Sequence, residues 1–107
     1  MEIYDPSGKK YEGNQEAVLA QFISDIEDEK KRIIKKRILG NGKLVFTVWL
    51  GINHSLIDSV LIYETMVFDG VDTLNEIDVL RYGTKEDALS GHSRMIQKHK
   101  YKGKLNK

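Results

Sequence analysis

Two stretches of alternating apolar and polar residues flank a glycine-rich segment near the middle of the chain. Gly40 to Gly42 reads Gly-Asn-Gly, and such residues adopt positive φ at little energetic cost. The pattern therefore predicts a hairpin that pairs residues 32–39 with residues 43–50. In the second strand both alternating sets contain apolar residues, which indicates a central position in a sheet.

Two further strands and two helices follow from the same kind of pattern. Residues 60–68 and 77–82 predict strands, separated by an acidic loop over residues 69–76. Apolar residues at helical spacing predict a helix from an Asn14 N-cap to about Glu27. Thr84 precedes Lys85, Glu86 and Asp87 much as in a capping box, which predicts a second helix with an apolar stripe.

These elements predict an α+β domain, with an antiparallel sheet of about four strands and two helices packed on one face or at one end. The chain of 107 residues fits a single domain over residues 1–98, followed by a basic flexible tail over residues 99–107. It has no cysteine, which excludes thiolate sites and agrees with a reducing cytoplasm. We expect a cytoplasmic protein because the sequence has no apolar run long enough for a membrane span.

The charge balance argues against both a strongly basic nucleic-acid binder and an acidic DNA mimic. Seventeen basic and sixteen acidic residues give a net charge of +1, unlike a strongly basic nucleic-acid binder or an acidic DNA mimic. A basic segment over residues 30–37 stands out locally. Its simpler interpretation is a solvated surface, and the alternative is a phosphate-binding strip.

Three residues are weak candidates for catalytic chemistry. His92 lies on the predicted apolar stripe of the second helix, where it is either a base or a hydrogen-bonded core residue. Glu64 lies in an apolar strand and needs a partner, either His92 as an acid/base couple or Arg81 as a structural ion pair. His54, Glu64 and His92 together would supply two histidines and one carboxylate, which is the ligand count of a metal site. Their spacing matches no diagnostic motif, so no metal is assigned.

Aromatic residues supply candidates for partner binding. Trp49 and Tyr63 lie in two predicted strands, on one face of the sheet or on different faces depending on the register, where they form either core or an exposed hot spot. A Ser-His-Asp triad from Ser55, His54 and Asp58 is rejected, because no nucleophile elbow or oxyanion donor accompanies it.

Three blocks, residues 47–54, 62–68 and 81–92, resemble a family of short proteins encoded by tailed bacteriophages, prophages and plasmids. The corresponding blocks of that family usually have sequences close to STVWLGLDH, LIFETMVF and RYSTEEEALAGH. The resemblance extends from Tyr4 to about residue 98. The resemblance implies an accessory protein of a mobile element rather than a particular reaction. Members carry a loop rich in glycine and proline where this chain has residues 56–60, so a ligand or partner of that loop would differ here.

The leading hypothesis is a phage- or prophage-encoded inhibitor that binds a host protein, such as a counter-defence (anti-CRISPR-like) protein directed at a defence effector. Its predicted contact residues combine basic and aromatic side chains: Lys35, Lys36, Arg37, Trp49, His54 and Tyr63. One alternative is a binder of a small ligand, nucleotide or metal, or a weak enzyme, with His54, Glu64 and His92 around a pocket. Another is a nucleic-acid or virion accessory protein. No cofactor is expected, and exposed strand edges are compatible with a homo-oligomer.

Overall fold

The sheet strands occur in space in the same order as along the chain. A computed structural model describes residues 2–55 and 59–100, and within these residues it contains three helices and one antiparallel sheet with strand order β1-β2-β3-β4. The elements are α1 (Gln15–Glu27), α2 (Glu29–Arg32), β1 (Ile33–Ile38), β2 (Leu44–Trp49), β3 (Tyr63–Phe68), β4 (Glu76–Tyr82) and α3 (Lys85–Lys100). The predicted α+β class is confirmed.

Local signals begin the helices where the sequence places them. The Asn14 side chain accepts a hydrogen bond from the Ala17 N–H at 2.8 Å, and the Thr84 hydroxyl accepts from the Asp87 N–H at 3.0 Å. Asp28 caps α2 in the same way through the Lys30 N–H. The sequence did not predict α2, a single turn between α1 and β1.

The two faces of the sheet have different environments. Thr47 pairs with Thr65 and Trp49 pairs with Tyr63 across β2 and β3, so these side chains share one face. We call this the helix face, because His92 of α3 is hydrogen-bonded to Thr47 there. The opposite face, which includes Glu64, is called the open face.

The described residues form two core clusters on the helix side of the sheet. One surrounds Trp49 and Tyr63, and α1 joins it through Phe22, whose ring meets Trp49 edge to face. The other contains Val45, Val67 and Met95 and lies beneath α3. Gly51 has a φ of +78° and lies so close to Phe22 that a Cβ there would be 2.6 Å from the ring. Glycine is therefore required where the chain leaves β2.

Helix α3 extends further than expected. His99 and Lys100 belong to it, and His99 is buried, which corrects the predicted start of the tail at residue 99. Residues 101–107, the rest of that tail, lie outside the described residues, as do residues 56–58 of the loop before β3. In the part of the chain that the structure describes, no helix is long and apolar enough to cross a membrane.

Candidate functional site

His92 is part of a buried chain of hydrogen bonds between α3 and the sheet. Its Nδ1 lies 2.7 Å from the Thr47 hydroxyl, which in turn lies 2.6 Å from the Thr65 hydroxyl. All three residues are buried. Burial lowers the pKa of His92, and the nearby cations Lys35 and Arg37 act in the same direction. The imidazole is therefore a neutral strut that fastens α3 to the two central strands.

Glu64 does not meet His92, because the two side chains lie on opposite faces of the sheet. Glu64 pairs with Val48, one step along β3 from the Thr47–Thr65 pair, and successive side chains of a strand alternate between faces. Its carboxylate instead accepts a hydrogen bond of 2.9 Å from Arg81 Nε on β4. The predicted acid/base couple is therefore wrong, and the structural alternative with Arg81 is what forms.

His54 is exposed in the segment that follows β2. Its backbone N–H donates to the Leu61 carbonyl at 2.9 Å, while Asn53 Oδ1 accepts from the N–H groups of Ser55 and Leu61. Asp58, the remaining member of the rejected triad, lies outside the described residues. Over residues 2–55 and 59–100 no cluster of metal-ligating side chains occurs, so the structure does not bring the three weak catalytic candidates together.

Trp49 and Tyr63 are core residues, which corrects their assignment to a contact surface. Trp49 is 1% exposed and Tyr63 is 0% exposed. The Trp49 indole N–H donates to the Tyr4 carbonyl at 3.1 Å, and the Tyr63 hydroxyl donates to the Pro6 carbonyl at 2.9 Å. Burial raises the pKa of Tyr63 to about 12, so the hydroxyl remains a donor. These bonds attach the N-terminal segment to the sheet.

The basic residues of β1 are exposed as predicted, but they do not form one surface. Lys35 pairs with Thr47 and Arg37 with Val45, which places both at the border of the helix face. Lys36 pairs with Phe46 and borders the open face. Lys35 and Arg37, which alternate as the phosphate-binding alternative requires, thus share one side of an edge strand, and Lys36 lies on the other side.

A second polar cluster joins α3 to β4. It was not predicted from the sequence. Asp78 Oδ2 lies 2.8 Å from Lys98 Nζ and 2.9 Å from His99 Nε2. The hydrogen bonds from Lys98 and His99 lower the pKa of Asp78. His99 lies about two helical turns after His92, a spacing that places both on one helix face and marks His99 as a core-facing residue.

The open face is the most unusual surface of the described structure. Phe46 pairs with Met66, which pairs with Val79, and these apolar side chains continue across neighbouring strands. Neither core cluster of the described residues includes a residue from this face. Its apolar members range from buried to exposed, with Ile38 at 58% exposure: Ile38, Leu44, Phe46, Val48, Met66, Phe68 and Val79.

No protein-family model matches the sequence, and no curated protein or solved structure is detectably similar to it.

Proposed function

We propose that this chain is a small protein-binding module and that the open face is its contact surface. The observation that carries the proposal is the row of half-buried apolar side chains centred on Phe46 and Met66, which belong to neither core cluster of the described residues. Contiguous exposed apolar surface on a soluble domain commonly marks an interaction site. His92 is buried and hydrogen-bonded to Thr47, so it does not favour a catalytic site over this binding surface.

The shape and border of the open face favour a protein over a small molecule. Small ligands bind in concave pockets that bury most of their surface, whereas a sheet face offers a broad platform. Around the apolar centre lie charged residues on the outer strands, namely Lys36, Glu76 and Arg81. An apolar centre within a charged rim is the usual anatomy of a protein interface.

The resemblance of the blocks around Trp49, Glu64 and His92 to the phage family supports a biological setting for this binding. In that setting the module acts in the cytoplasm of a bacterial host as an inhibitor of a host factor, such as a defence effector. Lys36 remains a candidate for the rim of the contact surface, because it is exposed and borders the open face. His54 remains a candidate contact residue because it is exposed. Lys35 and Arg37, at the border of the other face, are assigned to solvent instead.

The proposal is tested by affinity purification of the tagged protein from its bacterial host, followed by native mass spectrometry of the eluate. We expect a stoichiometric protein partner with the wild type and loss of that partner with Phe46→Glu. A buried aromatic anchor commonly contributes about 2 kcal/mol or more, so affinity should fall at least about tenfold.

Leu19→Glu is the matched control, because it introduces the same charge at an exposed apolar position on α1. This variant should retain the partner, and circular dichroism should show that both variants are folded. A wild-type protein that elutes alone, or a partner that Phe46→Glu retains, would contradict the proposal.

A further inference from the structure

A groove runs along the outer side of the sheet, between β4 and α3. It has a volume of about 250 Å³, and its floor is apolar, since Met95 is buried beneath it and Leu80 remains 47% exposed. We call it the edge groove. Its main lining residues come from both elements: Asp78, Leu80, Gly91, Arg94, Met95 and Lys98.

The backbone beside the edge groove has the polarity of an open strand edge. β4 is the last strand of the sheet, and its Tyr82 carbonyl accepts a hydrogen bond from the Ile62 N–H at 3.0 Å. Because alternate residues of an antiparallel strand turn their peptide groups to opposite sides, those of Val79 and Arg81 turn outward. The Val79 N–H accordingly donates to the side chain of its neighbour Asp78 at 3.0 Å, not to β3.

The uncompensated charge of the edge groove is positive. The groove carboxylate, Asp78, is engaged by Lys98 and His99. Among the residues that the structure describes, no carboxylate lies within ion-pair distance of Arg94. A ligand that seats an apolar group on Leu80 and a carboxylate at Arg94 would complement both features.

We propose that β4 and the edge groove bind an extended acidic segment of a partner protein, which adds to the sheet as a further antiparallel or parallel strand. Its peptide groups bond the Val79 carbonyl and the N–H and carbonyl of Arg81, since the Val79 N–H already donates to Asp78. Alternate side chains enter the groove, one apolar on Leu80 and one carboxylate on Arg94. This surface is separate from the apolar centre of the open face. The inference therefore does not depend on the proposed function.

A second copy of the chain suits this edge less well than an acidic partner. Antiparallel pairing of two β4 strands about a two-fold axis perpendicular to the sheet would place both copies of α3 on the same side of a continuous sheet. Arg94, which has no carboxylate partner among the described residues, would then lie on the same side of the sheet as Arg94 of the other copy. Like charges in such a position oppose association, whereas an acidic segment is attracted.

Fluorescence anisotropy with labelled peptides tests the inference on the full chain. The probe is a tandem of Leu-Thr-Glu-Thr, which places leucine and glutamate alternately on one face of a strand, and its control replaces each glutamate by lysine. We expect the glutamate peptide to bind and the lysine peptide not to bind. Arg94→Gln should weaken binding about tenfold, as expected for loss of a charge-assisted hydrogen bond.

Matched variants separate a site effect from a general charge effect. Lys85→Gln removes the same charge from the same helix outside the groove and should leave the affinity unchanged. Phe46→Glu should also bind the peptide normally, so failure of the open-face proposal and failure of this one are distinguishable. Circular dichroism of each variant confirms that it is folded.

A scan of N-methylated peptides tests strand addition itself. Methylation of one alternating set of peptide amides should abolish binding, while methylation of the other set is tolerated, because only one set faces β4. Absence of binding by the glutamate peptide, equal binding of the lysine peptide, or indifference to N-methylation would overturn the inference. It would also be overturned by a symmetric dimer that dissociates on Leu80→Lys, since the edge would then be occupied by a second copy.

Discussion

Replacement of Gly91 by alanine should destabilise the protein, although the same change in an ordinary helix stabilises it. Gly91 lies in the interior of α3, where alanine is favoured over glycine by about 1 kcal/mol. A Cβ at this position, however, would collide with the Tyr82 hydroxyl oxygen and with Cζ and Cε1 of the ring. Tyr82 is buried, so its ring must move against the packed core.

The expected change in the free energy of unfolding is the difference between these two opposing effects. Overpacking a well-packed core typically costs about 3 kcal/mol at the upper end of its usual range, because side chains leave their preferred rotamers. After the gain in helix propensity, Gly91→Ala should lower the free energy of unfolding by about 2 kcal/mol. Ser90→Ala, at the neighbouring exposed position on the same helix, is the matched control and should be stabilising by about 0.5 kcal/mol.

A double-mutant cycle shows whether the collision with Tyr82 is the cause. Tyr82→Leu removes the ring, so Gly91→Ala should cost about 1–2 kcal/mol less in that background than in the wild type. Tyr82→Phe removes the hydroxyl, which has no hydrogen-bond partner within the described residues, but it retains Cζ and Cε1. This substitution should therefore relieve little of the cost of Gly91→Ala.

The measurement is urea unfolding followed by the fluorescence of Trp49. The chain has one tryptophan, and it is buried in the core cluster to which Tyr82 belongs. The transition midpoint of Gly91→Ala should decrease while the slope remains unchanged. A midpoint equal to or above that of the wild type would refute the reasoning, because the ring and the added methyl group would then fit together.

Three further predictions concern the polar contacts. Because the pKa of His92 is lowered in the folded protein, only the unfolded chain takes up a proton at His92 just below about pH 6.5. The free energy of unfolding should therefore fall as the pH drops below that value, and it should fall less steeply in His92→Gln when measured by urea titration. Equal pH dependence of the two proteins would count against a buried neutral imidazole. Asp25→Ala should lower the free energy of unfolding by about 2 kcal/mol, because the buried carboxylate accepts hydrogen bonds from Tyr11, Gln21 and Lys31. A midpoint of thermal unfolding within about 1 °C of the wild type would show that these bonds contribute little. Glu64→Gln should lower the free energy of unfolding by no more than about 1 kcal/mol in a urea titration, because the Arg81 side chain of this ion pair is half exposed. A loss of about 3 kcal/mol or more would show that the pair behaves as a buried one.

The parts of the fold that depend on local chemistry were predictable from the sequence. The turn at Gly40 to Gly42 joins β1 to β2 as expected, with Gly42 at a φ of +90°. Asn14 and Thr84 act within one turn of their own positions, so their side chains identify the helix starts without tertiary information. Helix α2 escaped prediction because one turn is too short to show a period.

The candidate site depended on long-range arrangement that alternation alone does not determine. A shift of one residue in strand pairing moves a side chain to the other face, and this decides whether Glu64 meets Arg81 or His92. The burial of Trp49 and Tyr63 depends on Phe22 and Tyr4, which come from segments remote in sequence. Apolar residues on both faces of β2 correctly indicated a central strand, but they gave no information on whether a helix covers each face.

The sequential strand order has a consequence for how the chain acquires its structure during synthesis. Every neighbouring pair of strands is also consecutive in sequence, so the sheet assembles from short-range hairpins and needs no distant segment to begin. Helix α3 emerges from the ribosome after all these strands, and until it arrives both sides of the nascent sheet expose apolar groups. Docking of His92 onto Thr47 and Thr65 therefore follows synthesis of all four strands, and it covers apolar groups on the helix side of the sheet.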